Sequence, residues 1–292
     1  MSLKDLVKEI RNPSIVVSDI DKVLRDGSKR GQYLMSYFRP SSVPHQCPKE
    51  MWYLMRNVLY SNPENEFAPD PQLSRIFDLG SSVHETIQNW LGVAGVLKGL
   101  WRCRFCRKLH SDEWSLLPDE WCECMVAKEL FPEGKRKGKF PWKYVEVTVE
   151  DKEHKLKGHP DGIIVKSEKR EYVLEIKTMN TFKFQKLREA EPGHVMQAGL
   201  YSYMLGIDNT VFLYYDKNSQ NLKEFLVDTS ISKHVLGTLS KIETVNEAVE
   251  KNIAPKGVCK AIFDARAVEC TFKDVCFEKV SEKMFPDKGG TK

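Results

Sequence analysis

Asp161 stands in Gly158-His-Pro-Asp-Gly162, where glycines allow a neighbouring group to approach the backbone closely. Fourteen residues later comes Glu175-Ile-Lys177, within Tyr172-Val-Leu-Glu-Ile-Lys-Thr178. The two-residue period of a strand puts Glu175 and Lys177 on one face and Tyr172, Leu174 and Ile176 on the other. Two carboxylates brought together repel unless a hard cation lies between them, and oxygen ligands suit Mg²⁺ or Mn²⁺. A lysine beside them can orient or deprotonate a metal-bound water. That is the equipment for hydrolysing a phosphodiester. A lone Glu-x-Lys is a common ion pair on a solvated sheet face, and Asp161 one strand upstream is what gives the triplet weight.

Two helical pairs join this set. His84, in Gly80-Ser-Ser-Val-His84, lies beside Val83 and Ile87 on the flank of an apolar stripe. Gln197 and Tyr201 are four residues apart and share a helix face. Each pair alone reads as ordinary helix surface or as a satisfied core histidine.

The eight cysteines divide four and four. Cys103-Arg-Phe-Cys106 is followed after fifteen residues by Cys122-Glu-Cys124, enough thiolates for a tetrahedral structural zinc. The Cys-x-Cys half is tighter than the usual spacing, which leaves His110 as an alternative ligand. The stretch is polar and has little to bury, which argues against unliganded thiols. Arg102, Arg104, Arg107 and Lys108 surround it, either as a DNA-contacting patch or as a solvated face. Cys47, Cys259, Cys270 and Cys276 lie one near the start and three within the last 34 residues, a distribution no local zinc finger uses.

The elements that must position these residues follow from periodicity. Ser74 is the expected cap of a helix reaching Leu91, with Ile76, Leu79, Val83, Ile87, Trp90 and Leu91 in one stripe. Residues 61–72 and the basic run Gly134–Lys139 read as loops. From Tyr144 to Glu150 the period is two, a half-buried strand, and His154–Val165 and Tyr172–Thr178 predict two more. A helix is expected over 193–205, strands near 210–216 and 222–228, and a long helix over 231–251. The fold class is therefore α/β, with a strand-rich core near 142–230 inside helical wrapping. The divisions expected are a helical region at 1–100, a zinc-binding insertion at 101–125, the core at 126–230 and a helix with a cysteine tail at 231–292.

In order and spacing the set Gly80…His84, Gly158…Asp161, Glu175…Lys177 and Gln197…Tyr201 resembles the RecB-family nucleases of the PD-(D/E)xK superfamily. The resemblance implies a mixed central sheet flanked by helices. It also implies Mg²⁺ or Mn²⁺ held by His84, Asp161, Glu175 and the backbone carbonyl of Ile176. Lys177 would position the attacking water, and Gln197 and Tyr201 would orient DNA or site side chains. An iron–sulfur subclass, including CRISPR-associated and phage recombination exonucleases, carries one cysteine before the core and three after it. Cys47-Pro-Lys-Glu-Met-Trp-Tyr53 and Cys270-x₅-Cys276 are similar to its elements, implying a [4Fe–4S] cluster on Cys47, Cys259, Cys270 and Cys276. The gap from Cys259 to Cys270 is longer than the family's.

Composition agrees with such an enzyme. The chain has 292 residues, 41% hydrophobic and 29% charged, which excludes collagenous, disordered and coiled-coil classes. No apolar run approaches the roughly 18 residues of a membrane helix, mean hydropathy is −0.45, and the N-terminus lacks a signal-peptide core. A cytoplasmic location in a prokaryotic or phage-infected cell is expected. Net charge is 45 − 41 = +4, which permits a nucleic-acid partner. The expected function is a metal-dependent DNA exonuclease serving recombination, repair or replication. The alternatives are a non-catalytic nucleic-acid-binding module and a zinc-stabilised scaffold. Because the chain has no G-x-x-x-x-G-K-[ST] element, a separate helicase, recombinase or replication partner is expected.

Overall fold

A computed structural model describes residues 16–27, 36–56, 70–119, 122–124, 126, 129, 141–166, 170–230 and 232–277. The run Gly134–Lys139 and most of the expected loop at 61–72 lie outside the described residues.

Helices α1 (Val17–Gly27), α2 (Pro48–Met55) and α3 (Pro71–Val93) come first. The start of α3 is set by Asp70, whose side chain accepts the Gln72 N–H, and by Pro71, whose missing N–H costs nothing in a first turn. The helix thus begins before Ser74, the cap expected from the sequence. The expected stripe is also shorter. Val83 and Ile87 are buried, whereas Ile76, Leu79 and Trp90 are 42%, 49% and 55% exposed.

Seven strands follow: β1 (Leu97–Lys98), β2 (Leu100–Cys103), β3 (Trp142–Val145), β4 (Val149–Asp151), β5 (Leu156–Gly158), β6 (Gly162–Val165) and β7 (Glu171–Met179). After α4 (Thr181–Lys186) and α5 (Pro192–Leu205) come β8 (Asn209–Asp216) and β9 (Leu222–Asp228). The described chain closes with α6 (Lys233–Glu250), α7 (Ala265–Val268) and α8 (Lys273–Phe277). One mixed sheet has the order β1-β6-β7-β8-β9, antiparallel except for the β7–β8 pair. A parallel pair needs a crossover, which α4 and α5 supply. Strands β2–β3 and β4–β5 form two separate ribbons.

Two strands expected in one piece are each broken. Between Tyr144 and Glu150 the chain leaves the β2–β3 ribbon and joins the β4–β5 ribbon, so Glu146, Val147 and Thr148 belong to neither ladder. Between His154 and Val165, Pro160 has no N–H to give a ladder, and β5 ends at Gly158 while β6 begins at Gly162.

The sheet is covered on both faces. Leu174 and Ile176 of β7 and Ile164 of β6 pack with Val83 and Ile87 of α3. Val173 of β7 faces the other way, clustering with Ile163 and with Tyr201 of α5. Alternation therefore points Glu175 and Lys177 toward α5. Outside α5, Met51, Trp52 and Tyr53 of α2 pack with Leu239, Ile242 and Val245 of α6 and with Phe272 and Val275 of the tail. Each such buried side chain contributes roughly 1.5–3 kcal/mol.

Candidate metal-binding and catalytic site

The break before β6 leaves Asp161 free of the ladder, and three contacts hold it. Its Oδ2 accepts the Ile176 backbone N–H at 2.6 Å, and its Oδ1 lies 3.0 Å from Nδ1 of His84. Its carbonyl accepts Nε2 of Gln88 at 2.9 Å. The antiparallel register, with Gly162 opposite Leu174, is what sets Asp161 beside Glu175 and Ile176.

Glu175 is buried, its side chain 2% exposed. Oε1 accepts from Lys177 Nζ at 2.6 Å and from Gln197 Nε2 at 2.6 Å. Lys177 Nζ also donates to Gln197 Oε1 at 3.2 Å, which closes a three-residue ring. The other oxygen, Oε2, is buried with no hydrogen-bond partner among the described residues. An unmet buried carboxylate oxygen costs free energy, and a cation removes that cost. Carboxylate oxygens with one imidazole nitrogen fit Mg²⁺ or Mn²⁺. Tyr201 lies one turn after Gln197, buried against Gly158, where a Cβ would fall 2.8 Å from its Cε1. Only glycine allows that approach.

Electrostatics separate the members of this set. Burial, with the neighbouring Asp161 charge adding to it, pushes the Glu175 carboxyl up, and Lys177 opposes it. Burial works against charging His84, but the hydrogen bond and charge of Asp161 outweigh it and hold the imidazole above its usual range. Burial also pushes the Tyr201 phenol up.

Glu146 is a residue that sequence reasoning missed. Strict alternation predicts it on the solvated face, yet its carboxylate joins His84 and Asp161 in a set whose ligand atoms all lie within 4.8 Å of one another. Gln88 Nε2 donates to Glu146 Oε1 at 3.0 Å. The available signal is Gln88 itself, one helical turn beyond His84 on the same face of α3. Beside the site an open cavity of about 640 Å³ is lined by Tyr37, Arg39, Lys157, His159, Gln197 and Tyr201.

The four sulfurs of Cys103, Cys106, Cys122 and Cys124 converge within 4.8 Å of one another, with Cys103–Cys124 at 3.7 Å and Cys106–Cys122 at 3.4 Å. The backbone N–H of Lys108 pulls the Cys106 thiol down toward thiolate, while burial pushes Cys122 up. His110, the alternative ligand, instead packs edge-on against Trp142, ring centroids 5.2 Å apart. The segment also buries more than its composition predicts. Trp101 is 1% exposed, fills the space over Gly92, and sits in the β2–β3 ribbon.

The other four cysteines are neighbours in the fold but, among the described residues, do not form so tight a group. Cys259 and Cys270 each feel the charge of both Cys47 and Cys276. Three bonds stitch α2 to the far end of the chain: Lys49 Nζ to the Cys276 carbonyl at 3.2 Å, Tyr53 Oη to the Val275 carbonyl at 3.4 Å, and Trp52 Nε1 to the Ala248 carbonyl at 3.1 Å.

The protein is thus of the mixed α/β class, a central mixed sheet flanked by helices, with a cysteine cluster and a His/Glu/Asp site that can hold metal ions. No family model matches the sequence, and no curated protein sequence matches it. Among solved structures the chain is weakly similar to the crystal structure of SSO0001, with a TM-score of 0.43 and 14% identity over 92% of this chain and 98% of that one. It is also weakly similar to an alkaline exonuclease, LHK-Exo, from Laribacter hongkongensis, with a TM-score of 0.30 and 15% identity over 37% of this chain and 59% of that one. The same exonuclease in complex with dAMP gives a TM-score of 0.30 over 37% of this chain and 58% of that one. No helix among the described residues is long and apolar enough to cross a membrane.

Proposed function

We propose that this chain is a divalent-metal-dependent nuclease of the PD-(D/E)xK type, an exonuclease that hydrolyses DNA at ends or in single strands. The observation that carries the reading is Glu175: a carboxylate only 2% exposed with one oxygen unpartnered among the described residues, beside Lys177 on its own strand and Asp161 at the head of the neighbouring one. A purely structural ion pair would leave that oxygen bonded or in water.

In this reading His84, Asp161, Glu175 and the carbonyl of Ile176 are the metal ligands. Bound Mg²⁺ or Mn²⁺ supplies Lewis-acid activation of water and phosphate. Lys177 Nζ donates to Glu175 Oε1 at 2.6 Å, placed to orient the attacking water and to offset charge developing on the phosphate. Gln197 donates to Glu175 and accepts from Lys177, fixing both in one geometry. Tyr201 packs behind Gln197 and walls the cavity, where Arg39 and Lys157 supply positive charge for a phosphate backbone. Cys103, Cys106, Cys122 and Cys124 hold zinc in an insertion at 101–125, and Cys47, Cys259, Cys270 and Cys276 hold a [4Fe–4S] cluster that ties the ends of the fold together.

The test is to incubate the protein with end-labelled single- and double-stranded DNA and Mg²⁺ or Mn²⁺. A ladder is expected that vanishes with chelator and falls by about 10²-fold or more in Lys177→Ala. DNA left intact under every condition would reduce the chain to a nucleic-acid-binding module.

A further inference from the structure

Helix α4 lies on the face of the sheet that carries Glu175 and Lys177. Met179, two residues and about 7 Å beyond Lys177 along β7, shares that face by alternation. It packs with Phe184 of α4, Ala198 of α5, and Phe212 and Tyr214 of β8. Phe184 is buried, and α4 is pinned at both ends. Thr181 Oγ1 donates to Asp216 Oδ1 at 2.8 Å, and Lys223 Nζ donates to the Leu187 carbonyl at 3.0 Å. Asn180 caps the helix by accepting the Lys183 N–H. Two residues before the anchoring Phe184, Phe182 is 67% exposed, with Lys186 Nζ 3.8 Å from its ring centroid. A helix held this way presents the ring in a fixed place. The charge around it is one-sided. Residues 177–188 contain Lys177, Lys183, Lys186 and Arg188 and no acidic residue. Arg188 donates to the Gln185 carbonyl, whereas Lys183 and Lys186 stand exposed on either side of the phenyl group. An exposed ring among lysines complements an unpaired nucleotide, which offers a π-face and a phosphate together. The position suits the same ligand. The cavity with Arg39 and Lys157 adjoins the chain entering β6, while α4 packs over β8, so basic groups flank the Glu175–Lys177 pair on both sides.

We infer that α4 is a second contact for the strand being cut, with Phe182 stacking on an unpaired base and Lys183 and Lys186 facing the phosphates beside it. The inference rests on the nuclease reading for its ligand. It makes single-stranded nucleic acid the form that this flank of the site accepts, because the bases of a duplex are already stacked on one another.

The test measures, by fluorescence anisotropy, binding of labelled oligothymidylate about twelve nucleotides long to the full chain, its cysteine sites filled and no divalent cation added. Phe182→Ala should weaken binding by about 10-fold, with an unshifted melting temperature because the ring is exposed. Phe182→Tyr, which keeps a ring, should bind like wild type. An abasic strand of the same length and charge separates stacking from charge, and wild type and Phe182→Ala should bind it equally. Replacing Lys183 and Lys186 with Gln should lower the slope of log Kd against log salt by about 1.4, at roughly 0.7 for each phosphate contact on a single strand. Phe182→Ala that binds oligothymidylate like wild type, or that loses as much affinity for the abasic strand, overturns the inference. Wild type that binds neither strand also overturns it. Cleavage of DNA in the first two cases leaves the nuclease reading in place. If DNA stays uncut with every metal while Phe182→Ala still weakens binding, the nuclease reading falls and the contact on α4 stands.

Discussion

Nδ1 of His84, in the middle of α3, lies 3.0 Å from Oδ1 of Asp161, at the head of β6 and 77 residues later. The contact spans the whole cysteine module in sequence and joins the helix to the sheet. His84→Ala should weaken metal binding more than it alters the bound state. Raising Mn²⁺ should then restore part of the cleavage, and the same titration should fail to rescue Asp161→Ala. Equal rescue of both variants would remove Asp161 from the ligands.

The cysteine module offers a second experiment. Replacing Cys103 and Cys106 with Ser should release about one zinc per chain and expose residues 101–119 to proteolysis, since a structural site supplies folding energy to its own segment. Wild type that carries no zinc on metal analysis would sink the assignment.

Cys47 lies more than two hundred residues before Cys259, so a centre joining them closes most of the chain into one loop. A covalent tie of that length stabilises by roughly 5 kcal/mol through the unfolded chain, and ligation adds its own binding energy. Protein purified without oxygen should be brown, and Cys47→Ala, Cys270→Ala or Cys276→Ala should lose both the colour and the solubility. Cys259→Ala should do the same. A brown, stable Cys259→Ala would place the fourth ligand elsewhere, and colourless wild type would remove the iron.

His194 gives a pH signature away from the metal ligands. Burial, and then the charges of Lys177 and His45, hold its imidazole down to about 4, and its ring bonds Tyr214 Oη at 3.0 Å. An unfolded histidine titrates near 6.5. Between those values the unfolded chain takes up a proton that the folded chain refuses. The contribution is therefore complete above about pH 6.5 and is lost as pH falls toward 4, by about 3 kcal/mol. Melting curves at pH 7.5 and 4.5 should show a larger drop for wild type than for His194→Gln. Equal drops would mean that His194 titrates normally.

The residues that could do chemistry, and most of the elements carrying them, were legible in the chain itself. A period of two is a local property of a strand, so the shared face of Glu175 and Lys177 needed no tertiary information. The same holds for Gln197 and Tyr201 one helical turn apart, and for the close cysteine pairs. Three matters were not local. The strand containing Glu146 breaks because its two halves pair with different ribbons, and strand pairing is a long-range choice that alternation does not encode. Ile76, Leu79 and Trp90 carry the helical period of a buried stripe, yet they stay exposed while Val83, Ile87 and Leu91 pack with the sheet, because burial depends on what lies opposite. His110 suits a metal in its chemistry, but Trp142, over thirty residues away in the chain, takes its ring instead. Residue type and spacing determined which groups were available, while the register of β6 on β7 and the placement of α3 decided which of them meet, because those contacts form between segments far apart in the chain.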